Sequence, residues 1–308
     1  MKNIKVLFMG TPVFSVPLLE ALIENCTVVG VVCQPDREKG KVPPIKKVAL
    51  ENNIPVFQPE KVKEDYHDFL KLNPDIIITC AYGQIIPKAI IDAPRFGCVN
   101  VHASLLPKLR GGAPIHHAIL RGDSKTGITI MFMVERMDAG PIITMREEMI
   151  LQTDNVGTLH DRLSFLGRDL MIEVLPDIIS GNINPVKQNE SEATFAPNIK
   201  RENEHIDFNK TQKEVFNQIR GLNPWPGAYG ILEAKVFKVW DSKIGENTYP
   251  GRFNGEIVKL YEDGIGIKVA NGEIILTEVQ LEGRKRMSAR DFLNGLKNKD
   301  LLIGKIFE

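Results

Sequence analysis

Apolar positions in the first half of the chain come in short, nearly unbroken blocks, whereas those of the last third alternate with polar ones. Ile4–Met9 is apolar except for Lys5, and Val28–Cys33, Asp75–Cys80 (DIIITC) and Cys98–His102 (CVNVH) repeat the form. Stretches of helical length and spacing separate these blocks: Phe14–Ile23, 45–52, 65–72 and Ala113–Leu120. Short blocks apolar on both faces, alternating with helices, are what a parallel sheet covered on both sides requires. Further strands are expected at 127–134 and 141–150, and a helix over 156–180. Residues 1–188 therefore read as a doubly wound, mostly parallel α/β domain of Rossmann-like type. In such sheets ligands bind beyond the carboxyl ends of the strands, so Gly10, Ala81-Tyr82-Gly83 and His102 should converge.

Residues 189–204 are polar and charged with no apolar period, and read as a linker. The pattern then changes. A helix over Thr211–Gly221 and the turn Asn223-Pro-Trp-Pro-Gly227 precede alternating strands at 229–233, 235–241, 254–261, 264–270 and 273–280. Asn271-Gly272 is a tight-turn signal between the last two. Short, closely spaced strands of this kind over 205–308 suggest a small OB-like β-barrel domain.

Composition narrows the function classes. The 308 residues are 43% apolar and 25% charged, ordinary for a globular chain with a real core. Lys plus Arg and Asp plus Glu stand at 39 each, so no global basic field announces nucleic acid. The second domain carries 16 basic and 14 acidic residues, so a nucleic-acid surface there must be a local patch. Cys26, Cys33, Cys80 and Cys98 are scattered without a CxxC pair, consistent with buried thiols in a reducing compartment. The first apolar run is too short for a signal peptide and no run is long enough to span a membrane, so a cytoplasmic location is expected.

The most informative stretch is Gly97–Gly122, GCVNVHASLLPKLRGGAPIHHAILRG. It places Asn100, His102 and Ser104 at alternating positions, expected on one face at a strand end. An amide that donates to a developing oxyanion, beside an imidazole that moves a proton near neutral pH, suits chemistry at a carbonyl. A satisfied structural histidine is the other reading of His102. Asp138, in Met137-Asp-Ala-Gly-Pro141, reads either as a turn-former or as a carboxylate that orients His102.

Dinucleotide binding fits poorly: the first strand-to-helix turn is Gly10-Thr-Pro-Val-Phe-Ser, without the second glycine that admits a pyrophosphate. Metal-ligand spacing is missing too, and no metal is expected; His116 and His117 are adjacent and diverge on a helix. Arg37–Lys47 is a basic loop and Arg284-Lys285-Arg286 a second basic cluster, each either a solvated face or a phosphate contact. Trp225 and Trp240 read as barrel core.

The pattern N-x-H-x-S-L-L-P-x-x-R-G-x-x-P followed by Met-Asp-Ala-Gly-Pro resembles the folate-dependent formyltransferases. The carboxyl half, with Asn223–Gly227, Lys238-Val239-Trp240 and Gly283-Arg-Lys-Arg-Met-Ser-Ala289, is similar to the members that act on initiator methionyl-tRNA. The resemblance runs from the Gly10 turn to about residue 297. It implies Asn100, His102 and Asp138 as the catalytic trio and 10-formyltetrahydrofolate as co-substrate. It further implies folate contacts at Ser104, Leu105, Leu106 and Pro107 and at Tyr82, Gly83, Ile85 and Ile86. The tRNA contacts it implies are Arg37, Lys39, Lys41, Arg284, Lys285 and Arg286, in a monomeric enzyme. The basic loop, Asp36–Lys46, is shorter than the resemblance leads one to expect, which touches Lys41 most. Relatives acting on an amino-sugar nucleotide, a purine precursor or water would share the trio. A catalytically silent RNA-binding protein would not need the trio to meet.

Overall fold

The computed structural model describes residues 1–36 and 42–308. Contacts divide the chain into two units. The first comprises Met1–Pro114, Lys125–Met149 and His160–Pro197; the second comprises Ile115–Ser124, Ile150–Leu159 and Asn198–Glu308. This differs from a single boundary at the polar stretch. Residues 189–197 fold into the first unit, because their backbone is hydrogen-bonded to the loop after the fifth strand, and Arg201–Glu204 forms a helical turn. Polarity marked an exposed stretch, and exposure is not the same as freedom from partners.

In the first unit, strands β1 (Lys5–Gly10), β2 (Thr27–Val32), β3 (Val56–Phe57), β4 (Ile76–Cys80), β5 (Cys98–His102), β6 (Lys125–Phe132) and β7 (Ile142–Met149) form one sheet. The order is β3-β2-β1-β4-β5-β6-β7. The β1–β2, β1–β4, β2–β3 and β4–β5 pairs are parallel, while β5–β6 and β6–β7 are antiparallel. Val6–Met9 and Ile76–Ile78 are fully buried, which the unbroken apolar blocks required. Val16–Asn25, Pro44–Glu51 and Val156–Ser180 are helices as expected, but the 65–72 stretch yields only the turn His67–Leu70. Cys26, Cys33, Cys80 and Cys98 are buried, and burial pushes the Cys33 thiol up to about 11 and Cys80 to about 12. Those two thiols stay protonated at neutral pH and are poor nucleophiles.

The second unit holds β8 (Ala228–Leu232), β9 (Lys235–Ile244), β10 (Ile257–Leu260), β11 (Ile265–Val269), β12 (Gly272–Leu281) and the short β13 (Met287–Ser288). They form an antiparallel sheet in the order β10-β11-β12-β9-β8, with β13 on β12. The chain end closes it. Ile231 and Glu308 exchange backbone hydrogen bonds at 2.9 Å, and on the other side Ile257 N donates to the Lys305 carbonyl at 2.8 Å. Both edge strands, β8 and β10, thus pair with the same tail, and unpaired edge backbone is removed. Phe208, Phe237 and Phe307 meet inside with centroids 5.4 Å apart in each Phe307 pair. Trp240 is buried as expected, but Trp225 is 42% exposed, because it lies in the turn before β8 rather than on a strand.

Candidate active site

β5 lies between β4 and β6, and the carboxyl-terminal half of the strand carries Asn100 and His102. Asn100 is opposite Thr79 in the parallel register, and the Thr79 hydroxyl donates to Asn100 Oδ1 at 2.7 Å. With its oxygen tied, the carboxamide leaves its NH₂ end free to donate. Sequence reasoning missed Thr79; the threonine that ends the otherwise aliphatic run of β4 was the available signal.

His102 is 6% exposed. Its Nε2 lies 3.0 Å from the Leu109 carbonyl, which can only accept, so Nε2 carries the proton in the neutral ring. Nδ1 is then the nitrogen that can exchange a proton, and it faces Asp138 Oδ1 at 3.7 Å. That distance exceeds a hydrogen bond, and the two form an ion pair only when the ring is protonated. Asp138 Oδ2 accepts from the Gly111 amide at 2.8 Å, fixing the carboxylate. Asp138 itself sits at φ 50°, a left-handed conformation that aspartate tolerates better than most side chains. Gly140 follows because any Cβ there would fall 1.7 Å from the Phe132 carbonyl oxygen.

The strand ends at His102, two residues before Ser104, which is fully buried with its hydroxyl donated to the Lys108 carbonyl at 2.7 Å. Leu106 is buried, its amide bonded to the Thr129 hydroxyl, while Leu105 and Pro107 are half-buried. In the turn after β4, Tyr82 and Ile86 pack into the core with Leu7, Met9 and Ile77. Gly83 is exposed and Ile85 is 75% exposed, so of the four expected folate contacts in that turn these two are open to a ligand. The turn is pinned by Thr11 and Gln34, whose side chains both donate to the Tyr82 carbonyl at 3.1 Å.

Arg37, Lys39 and Lys41 lie outside the described residues. Arg284 and Lys285 are exposed in the loop after β12. Arg286 is held: its guanidinium pairs with Glu278 and lies 4.8 Å from the Trp240 ring centre, with Lys238 Nζ 5.1 Å from the same ring. Among the described residues no group of three or more His, Cys, Asp or Glu side chains could hold a metal ion, and no helix is long and apolar enough to cross a membrane.

Two family models match: formyl transferase over residues 2–175, and the formyl transferase C-terminal domain over 198–297. The chain belongs to the formyltransferase family. Its similarity to methionyl-tRNA formyltransferases is 53% identity over 301 residues for the Bacillus velezensis and Bacillus subtilis proteins, covering 94% of this chain and 94% of each relative. Among solved structures, the N-formyltransferase of Helicobacter canadensis, in complex with folinic acid and dTDP-3-aminofucose, superposes with a TM-score of 0.69 at 22% identity. That likeness covers 89% of this chain and 98% of the other and shows a shared fold. This formyltransferase thus carries both family domains, with Asn100, His102 and Asp138 together within the first.

Proposed function

We propose that this formyltransferase moves the formyl group of 10-formyltetrahydrofolate to the α-amine of methionine esterified to initiator tRNA, in the cytoplasm and as a monomer. The observation that carries the chemistry is the meeting of His102 Nδ1 with Asp138 at 3.7 Å, beside an Asn100 amide whose oxygen is already engaged. The acceptor reading rests on the full-length likeness to methionyl-tRNA formyltransferases, barrel domain included.

In this reading the neutral amine attacks the formyl carbon, and a new C–N bond forms as the carbonyl oxygen becomes an oxyanion. Asn100 Nδ2 and protonated His102 Nδ1 donate to that oxyanion, while the Asp138 carboxylate compensates the charge on the ring. The bond from the formyl carbon to folate N10 then breaks, and the proton lost by the amine goes to N10. Leu109 and Gly111 keep the imidazole and carboxylate in place through the cycle by their backbone groups. Gly83 and Ile85, open to solvent at the end of β4, are the residues offered for the folate ring; Leu105 and Pro107 border the same strand ends. Ser104, Leu106, Tyr82 and Ile86 support that wall from inside. Of the basic residues that the resemblance implies, Arg284 and Lys285 are described and exposed to meet tRNA phosphates, with Arg37, Lys39 and Lys41 of the loop after β2 as further contacts.

The test is a formyl-transfer assay with 10-formyltetrahydrofolate and charged initiator tRNA, run beside an amino-sugar nucleotide and water as acceptors. Transfer to the tRNA with little reaction of the other two is expected. Preferred transfer to the sugar, or hydrolysis alone, would replace the reading.

A further inference from the structure

Residues 181–195 are almost all exposed or half-exposed, yet Gln188 within them is 5% exposed and makes hydrogen bonds with both ends of its amide. Its Nε2 donates to the carbonyls of Asp138 and Gly140, each at 2.8 Å. Its Oε1 accepts from Arg110 Nε at 3.1 Å and Nη2 at 2.7 Å. Arg110 is itself only 1% exposed and donates to Glu190 from Nη1 at 3.1 Å and Nη2 at 3.0 Å, and Glu190 also pairs with Arg136. One buried amide therefore ties the turn that carries Asp138 to the loop that follows β5.

The same segment also holds the other partner of His102. Thr194 Oγ1 accepts from the Leu109 amide at 2.9 Å and the Thr194 carbonyl accepts from Arg110 N at 2.9 Å. Ala196 N donates to the Arg110 carbonyl at 2.7 Å, and the Ala196 carbonyl accepts from Ala113 N at 3.1 Å. Gly111, whose amide fixes Asp138, has φ 121° and its Cβ position would lie 2.7 Å from the Ala196 oxygen, so segment and loop are in direct contact. The Leu109 carbonyl on Nε2 and the Asp138 carboxylate facing Nδ1 thus hang from one strap, residues 188–196. This strap falls between the two regions matched by the family models.

We infer that Gln188 is a positioning residue for formyl transfer: through its two carbonyl contacts it sets the distance of Asp138 from the His102 ring. The inference rests on Asn100, His102 and Asp138 being the reacting centre. Gln188 touches no reacting atom. What it supplies is placement, and an error of about 1 Å in such a constellation costs on the order of 100-fold in rate.

Gln188→Glu separates its two ends. The carboxylate keeps an acceptor for Arg110 but loses the donors to Asp138 and Gly140 and sets negative charge against their carbonyls. The expected result is a kcat lowered about 10- to 100-fold with KM for folate and tRNA within about twofold. In an Asp138→Asn background the same change should lower kcat no further, since misplacing a group that is already inactive costs nothing more. Thermal unfolding reports whether the variant folds. If it does not, Gln188→Asn carries the test: it keeps both polar ends on a side chain one methylene shorter and so draws the donor back from the Asp138 and Gly140 carbonyls, with the same split between kcat and KM expected. Wild-type kcat in folded Q188E, or an undiminished effect of Q188E on top of D138N, overturns the inference. A D138N enzyme with wild-type kcat would instead overturn the reading of the centre itself, so the two failures are distinguishable.

Discussion

In the proposed reacting centre, Asn100 and His102 each have one polar end already taken. Thr79 engages the oxygen of the Asn100 amide and Leu109 the Nε2–H of His102, leaving Nδ2 of one and Nδ1 of the other for chemistry. Loss of one oxyanion donor typically costs ~100- to 1000-fold in rate, so Asn100→Ala and His102→Ala should each lower kcat at least ~100-fold in a folded chain. Single-turnover formyl transfer measures this, and near-normal turnover in either variant would remove that residue from the chemistry. Thr79→Val should act more weakly, about 10-fold on kcat, because it releases the amide to rotate without deleting it. The alternation of Asn100 and His102 was legible from period alone. Thr79 was not, because its partnership depends on the β4–β5 register, a fact about two strands.

At the scale of elements, the strap and the barrel closure each lend themselves to measurement. Hydrogen bonds from Arg110, and then from Arg136, hold the Glu190 carboxyl well below its ordinary 4.5, at about 2. A carboxyl lowered in the folded state stabilises that state fully above the ordinary value and loses the contribution as pH falls toward 2. The melting temperature of the native chain should therefore drop more steeply than that of Glu190→Gln between pH 4.5 and 2. Equal slopes in a calorimetric series would mean that the strap is not held by this pair. In the barrel, Phe307 is 5% exposed on the tail that pairs with both edges. Phe307→Ala should cost about 3–5 kcal/mol of unfolding free energy by denaturant titration, as large-to-small changes in a packed core do. A loss under about 1 kcal/mol would show the tail to be peripheral.

For the molecule as a whole, tRNA binding through phosphates should be steeply salt-dependent although the chain's net charge is zero. Arg284→Glu and Lys285→Glu should each raise Kd for charged initiator tRNA and flatten the slope of log Kd against log salt by about 1. Arg286 is a poorer probe, since Glu278 already compensates it. An unchanged salt slope in both variants would place the tRNA on another surface.

Most strand and helix positions, and the change from a buried parallel sheet to alternating barrel strands, were set by local pattern, because burial on one face or two imposes its own period on the chain; the 65–72 stretch, reduced to the turn His67–Leu70, was the exception. Contact between residues distant in the chain was decided only in three dimensions. Asp138 could be read as a turn-former until the Gly111 amide and the His102 ring were seen beside it. Residues 189–196 could be read as part of a linker because hydrophobic period cannot register a segment bound by amide, carbonyl and guanidinium groups. Such hydrogen bonds are directional and short-ranged, so their partners follow from the register of strands and the path of loops rather than from composition.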